Sequence, residues 1–171
     1  MTALKSFISP KVEVRDEGSI HGRGMFAKED IKKGEIIMIK AGHVMPITDA
    51  MESERILGEF SIQISDMFSI APKTVEDIND ESIFINHSCS PNIGPFGQIT
   101  FVALKDITSD EEICYDYAMT TSRYYRLVCN CGSDNCRKIV TGEDWKKKEL
   151  QNKYGDHFSF YILQKIKKEK N

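Results

Sequence analysis

Long apolar runs are missing from this 171-residue chain: stretches such as Ile36-Ile37-Met38-Ile39 are far short of the about 20 residues that a membrane-spanning helix needs. A basic excess is missing too, since 23 Lys and Arg stand against 26 Asp and Glu for a net charge of −3. That balance argues against nucleic acid as the main ligand, because phosphate binding needs a basic surface. A basic peptide suits this surface better, and the acidic stretch Glu76-Asp77-Ile78-Asn79-Asp80-Glu81 can steer one. Met1 to Pro10 has one lysine and no sustained apolar block, so no secretory signal is expected and the chain is read as intracellular. There is no internal repeat or low-complexity linker, and the length suits one domain with its own core.

What is present is a succession of short β-like runs punctuated by Gly and Pro. Strands are expected at Val12 to Arg15, Gly24 to Ala27, Glu35 to Ile39, Phe60 to Ile64, Met67 to Ile70, Thr100 to Ala103 and Glu112 to Tyr117. Helical signals are sparse, with one short helix expected at Asp49 to Gly58 and two more after residue 140. Of the latter, Asp144 to Lys153 is polar and closed by Tyr154-Gly155. Asp156 to Lys168 sets Phe158, Tyr161, Ile162, Leu163 and Ile166 at helical spacing, so it packs by one face.

Three of the five cysteines form a C-x-C-x4-C cluster, Cys129, Cys131 and Cys136. Three thiolates at that spacing can converge on one tetrahedral zinc ion, one ligand short of a closed site. A reducing compartment disfavours disulfides, so Cys89 or Cys114 is the natural fourth ligand.

Three further motifs appear in order: His21-Gly22-Arg23-Gly24-Met25-Phe26-Ala27, then Phe84-Ile85-Asn86-His87-Ser88-Cys89-Ser90-Pro91-Asn92, then Asp110-Glu111-Glu112-Ile113-Cys114-Tyr115-Asp116-Tyr117. With the cysteine cluster after them, they closely resemble the SET-domain family of protein lysine methyltransferases, in a small form with a post-SET zinc segment and no pre-SET segment. The resemblance spans about residues 12 to 138. It implies a mostly β fold with minor α, built of several small twisted sheets around a threaded, knot-like crossing, with C-terminal helices appended. The expected division is an N-terminal extension (1–11), the SET domain (12–118), a post-SET segment (119–138) and a helical tail (139–171).

The resemblance further implies that S-adenosylmethionine is the cosubstrate, held by Gly22, Arg23, Gly24 and Met25 on one side and by Asn86 and His87 on the other. Glycine there permits a close approach that a side chain would block. Tyr117 is then the catalytic tyrosine, and Tyr115 stands where the family carries tyrosine or phenylalanine, tyrosine favouring monomethylation. Residues two apart on a strand share a face, so Tyr115 and Tyr117 are expected on one channel, with Cys114 and Asp116 turned away. Cys89 becomes the preferred fourth ligand of a structural zinc. The partner implied is a lysine-containing protein, a histone or another basic protein, and the alternative reading is a catalytically silent SET-like module that binds peptides. One departure stands out: Asp110 occupies a position where the family commonly has glycine.

Overall fold

The computed structural model describes residues 5–20, 22–57, 61–77 and 84–169. His21 of the first motif and residues 78–81 of the acidic stretch lie outside them.

Thirteen short strands and three helices make up the described chain. One sheet has the order β1 (Phe7–Ile8), β4 (Ile36–Ile39), β10 (Thr100–Ala103), β9 (Ile93–Phe96). A second has the order β2 (Val12–Ser19), β3 (Gly22–Ala27), β11 (Glu112–Tyr115), β8 (Asn86–His87). A third joins β5 (His43–Pro46), β7 (Phe68–Ala71) and β6 (Ile62–Gln63), with α1 (Ile47–Leu57) following β5. A two-stranded ribbon of β12 (Arg126–Val128) and β13 (Ile139–Thr141) precedes α2 (Lys148–Tyr154) and α3 (Phe160–Glu169).

The main core gathers Met25, Ile37, Met38, Phe101 and Ile113 among others, all buried. β3 buries four consecutive residues, Gly24 to Ala27, as a central strand between β2 and β11. A second core forms where Ala118 and Met119 meet Trp145, Leu150, Tyr154, Phe158 and Ile162, so the helical tail packs directly behind the tyrosine motif.

Most ladders are antiparallel, but β8 runs parallel to β11, pairing Asn86 with Cys114 and His87 with Tyr115. The rest of that motif follows: Ser88 N–H donates to Tyr115 O (3.1 Å) and Asn92 N–H to Cys114 O (3.1 Å). The Asn-His motif is thereby laid along the tyrosine motif, at the place where the family resemblance puts the crossing.

The strand expected at Glu112 to Tyr117 ends at Tyr115, because the Asp116 carboxylate caps a 3-10 turn over Tyr117–Met119 by accepting the Ala118 N–H (3.1 Å). The first tail helix is split: a 3-10 turn at Asp144–Lys146 is followed by extended Lys147 and then α2, which ends at Gly155 with φ +54 as the Tyr-Gly signal requires. The second starts at Phe160 rather than Asp156 because the Ser159 hydroxyl accepts the Ile162 N–H (3.4 Å) at its beginning. Asp110 has φ +69, in the left-handed region where glycine is free of strain. Arg15 bonds its carboxylate at 2.7 Å there.

Candidate active site

Tyr115 and Tyr117 do face one cavity, of about 820 Å³, together with Met38, Ile85, Phe101 and Tyr125. The two phenol rings lie 5.0 Å apart between centroids, and Phe101 meets Tyr115 edge-on at 5.1 Å. Although β11 has ended, Asp116 keeps an extended backbone (φ −87, ψ 120), so the alternation of faces continues through it. At the mouth, Arg123 binds Glu54 at 2.7 Å and Lys165 binds Asp66 at 2.9 Å, leaving these charges paired.

Each hydroxyl has a defined role in the local bonding. Tyr117 donates its hydroxyl hydrogen to Ile85 O (3.2 Å). The Tyr115 oxygen accepts from Thr120 Oγ1 (3.4 Å), and burial pushes this phenol up to about 12, so it stays neutral. His87, buried beside Tyr117 with rings 5.2 Å apart, accepts the Tyr117 N–H at Nδ1 (3.3 Å). Its Nε2 lies 3.5 Å from Cys89 Sγ, and its Nδ1 is 3.7 Å from Asp116 Oδ1.

The residues expected to hold the cosubstrate also come together. Asn86 donates its amide to Arg23 O (3.0 Å) and to Glu112 Oε1 (2.8 Å), tying β8 to β3 and β11. Glu112 also accepts the Ile20 N–H (2.9 Å). A Cβ on Gly24 would lie 2.5 Å from Ser19 Cβ and 2.7 Å from Glu112 Oε1, so only glycine fits that crossing. Gly22 has φ +74, and Met25 is buried in the core, so these positions can offer a ligand backbone groups only. Glu112 is the member of this cluster that motif spacing does not reveal.

Cys89, Cys129, Cys131 and Cys136 bring their four Sγ atoms within 4.8 Å of one another, with Cys89 and Cys129 at 3.9 Å. A zinc–sulfur bond of about 2.3 Å in a tetrahedron sets the sulfurs about 3.8 Å apart, so this donor set fits zinc. Cys114 is buried elsewhere and is not in the group. Burial pushes the Cys89 and Cys129 thiols up; at Cys131 burial is outweighed by hydrogen bonds from Ser133 and neighbouring groups, which bring it down to about 6.

Asp116, turned away from the cavity as expected, anchors the tail. Its carboxylate takes a two-pronged bond from Arg137 (2.6 and 2.8 Å) and one from the Tyr154 hydroxyl (2.7 Å), while Arg137 also binds Asp144 (2.9 Å). Burial alone would raise the Asp116 pKa, but Arg137 holds it below the ordinary carboxylate range. Its contribution to stability is thus fully present above about pH 4 and is lost as the pH falls through the depressed folded value. Arg137→Met leaves the buried Asp116 carboxylate without its guanidinium partner, which lowers stability by about 3–5 kcal/mol at neutral pH. Thermal or denaturant unfolding of the two proteins checks this, and the gap between them narrows in acid.

A sequence profile of the SET domain matches residues 22–118. Human histone-lysine N-methyltransferase 2B is 34% identical over 135 residues, which is 71% of this chain and 5% of that protein. Histone-lysine N-methyltransferase trithorax of Drosophila virilis is 35% identical over 131 residues, 71% of this chain and 3% of its own. Among solved structures, KRYPTONITE in complex with mCHG DNA and SAH superposes with a TM-score of 0.58 at 26% identity, covering 75% of this chain and 28% of that one. The methyltransferase domain of human SETMAR gives a TM-score of 0.61 at 21% identity, covering 78% and 58%.

Proposed function

The chain belongs to the SET-domain family, and from that premise we propose that it is an S-adenosylmethionine-dependent protein lysine N-methyltransferase favouring monomethylation of a histone or another protein. The observation that carries this is the tyrosine pair: Tyr115 and Tyr117 face one cavity, and Tyr117 is bonded to both Ile85 and His87, on either side of Asn86. Histone-lysine methyltransferases among the relatives, and SAH in one solved relative, support the same chemistry.

S-adenosylmethionine supplies an electrophilic methyl on a sulfonium. Gly22, Arg23, Gly24 and Met25, through backbone groups, and Asn86 and His87 from β8 hold it in this reading. The target lysine enters the cavity as a neutral amine, since an apolar lining of Met38, Ile85 and Phe101 disfavours the ammonium form. Tyr117 offers its oxygen to the reacting centre because its hydrogen is committed to Ile85 O. Positioning and exclusion of water then supply most of the acceleration, with no strong base required. Zinc on the four cysteines is architectural, because four thiolates leave no coordination position for chemistry. The post-SET segment in this reading is 119–138, which holds the cysteine loop between β12 and β13.

Tyr115 sets the product in this account. Its hydroxyl, or a water on it, fills the space that a second methyl needs. Wild type therefore yields mainly monomethyl-lysine and Tyr115→Phe shifts the product toward di- and trimethyl-lysine. Mass spectrometry of the modified lysine reads this directly, and dominant trimethylation by wild type contradicts it.

A further inference from the structure

The last helix, α3, carries none of the chemical motifs, yet its Tyr161 joins a polar network at the edge of the tyrosine cavity. The residue is buried in the second core, behind the tyrosine motif. Its hydroxyl lies 2.7 Å from Asp66 Oδ1, 2.9 Å from Gln63 Nε2 and 2.9 Å from Ser122 Oγ. Gln63, Asp66 and Ser122 all line the cavity, whereas Tyr161 does not. They come from two separate parts of the chain. Gln63 and Asp66 belong to β6 and the turn after it, and Ser122 to the segment that runs from the tyrosine motif toward the cysteine loop. In that same segment Thr120 bonds the Tyr115 hydroxyl (3.4 Å).

Proton accounting fixes the direction of each bond. Asp66 is held below the ordinary carboxylate range by the Tyr161 hydroxyl and Lys165, and a carboxylate can only accept. The single Tyr161 hydrogen therefore goes to Asp66, and its oxygen accepts from the Gln63 amide and from the Ser122 hydroxyl. The phenol is then fully used. Gln63 Oε1 in turn accepts the Ser122 N–H (3.0 Å), Gln63 O accepts from Gln98 Nε2 (2.9 Å), and Gln98 Oε1 accepts the Tyr161 N–H (3.0 Å). A network in which every member is satisfied holds one geometry.

Resting on the methyltransferase reading above, we propose that Tyr161 is a positioning residue for acceptor binding: it pins Gln63 and Ser122, and with them two walls of the cavity, at a fixed separation. It touches no reacting atom and acts through the residues that it holds. Without its hydroxyl, each partner keeps another bond: Asp66 with Lys165 (2.9 Å), Gln63 Nε2 with Ser65 O (3.0 Å) and Ser122 Oγ with Gln63 Oε1 (3.2 Å). The fold therefore survives the loss, but the 120–123 segment is no longer tied to α3 through this hydroxyl. An acceptor must then order that segment as it binds, at the expense of its own affinity.

The test titrates a pool of core histones, ribosomal proteins and whole-cell lysate protein against wild type, Tyr161→Phe, Ser122→Ala and the double variant, at saturating S-adenosylmethionine. Thermal midpoints, cofactor affinity and the ratio of mono- to dimethyl-lysine are measured alongside. Tyr161→Phe is expected to raise the half-saturating acceptor concentration about tenfold, the equivalent of one hydrogen bond, with the rate at saturation within about twofold of wild type. Cofactor affinity and product ratio stay unchanged. Ser122→Ala shifts acceptor saturation in the same direction, and the double variant shifts it no further than the larger single effect, because the two residues act through one network. An unchanged acceptor requirement in an active Tyr161→Phe overturns the proposal. So do additive effects in the double variant, and so does a lowered midpoint with rate and cofactor affinity falling together, which marks a merely structural role. A wild type that transfers nothing to the pool overturns the methyltransferase reading itself, and this inference with it.

Discussion

Replacing Tyr117 with phenylalanine lowers the rate of methyl transfer by about two to three orders of magnitude, the usual cost of removing one aligned polar group from a reacting centre, while cofactor affinity stays within about threefold. The substitution preserves the ring, its edge contact with His87 and its contact with Tyr115. What disappears is one oxygen and its bond to Ile85 O. As a structural loss that bond is worth about 1 kcal/mol of stability, too little to unfold a domain whose total is about 5–15 kcal/mol. A large fall in turnover with a nearly unchanged melting curve therefore assigns the oxygen to chemistry. Single-turnover kinetics and calorimetric titration of the cofactor separate the two effects. A variant that melts early but turns over normally when folded would show that Tyr117 only packs.

Stripping zinc has the largest expected effect on stability. The purified protein is expected to carry one zinc per chain, and a strong chelator, or Cys131→Ser, is expected to release it together with the order of residues 119–141. The reason is scale. β12 and β13 are three residues each, and a lone two-stranded ribbon is marginal in water. Among the described residues, the apolar cluster beneath them has Cys89, Cys129 and Val140 as its buried members. Metal binding to structural thiolate sites is worth about 10–16 kcal/mol in small zinc peptides, far more than that cluster can supply. Loss of the segment removes Tyr125 from the cavity wall and frees Cys89, two residues from His87, so acceptor and cofactor binding weaken together. Metal analysis, hydrogen exchange over 119–141 and recovery on adding zinc check this. Unaltered exchange after complete metal loss contradicts it.

Legibility followed chemistry more closely than periodicity. Strands rich in β-branched and aromatic residues, such as Thr100–Ala103, lie where the pattern predicts. β8 and β9 carry no such signal, because Asn86-His87 and Ile93-Gly94-Pro95-Phe96 are poor strand formers fixed by their neighbours β11 and β10. The tyrosine pair reached one cavity by an alternation that outlasted its strand, since Asp116 stays extended after β11 ends. The four cysteines converge, and Cys89 rather than Cys114 joins the cluster. Long-range partners were beyond a single sequence: nothing in Glu112 marks it as the bond between Ile20 and Asn86, or in Arg137 as the partner of Asp116 and Asp144. Tyr161 was legible as a packing residue of the tail helix, whereas the partners of its hydroxyl, Gln63, Asp66 and Ser122, lie far from it in the chain and are visible only in the fold. Asp110 was the reverse case, a departure from glycine noticed in the motif and explained by its positive φ.

The central claim is transfer of a methyl group from S-adenosylmethionine to protein lysine. The most direct measurement incubates the purified protein with S-adenosylmethionine labelled on the methyl group and with histones, ribosomal proteins and whole-cell lysate, in parallel with Tyr117→Phe. The account predicts label on lysine in at least one acceptor, mainly as monomethyl-lysine, and its near disappearance with the variant. A folded, zinc-loaded wild type that binds no cofactor and labels no protein contradicts the account, and leaves the SET fold serving as a binding module.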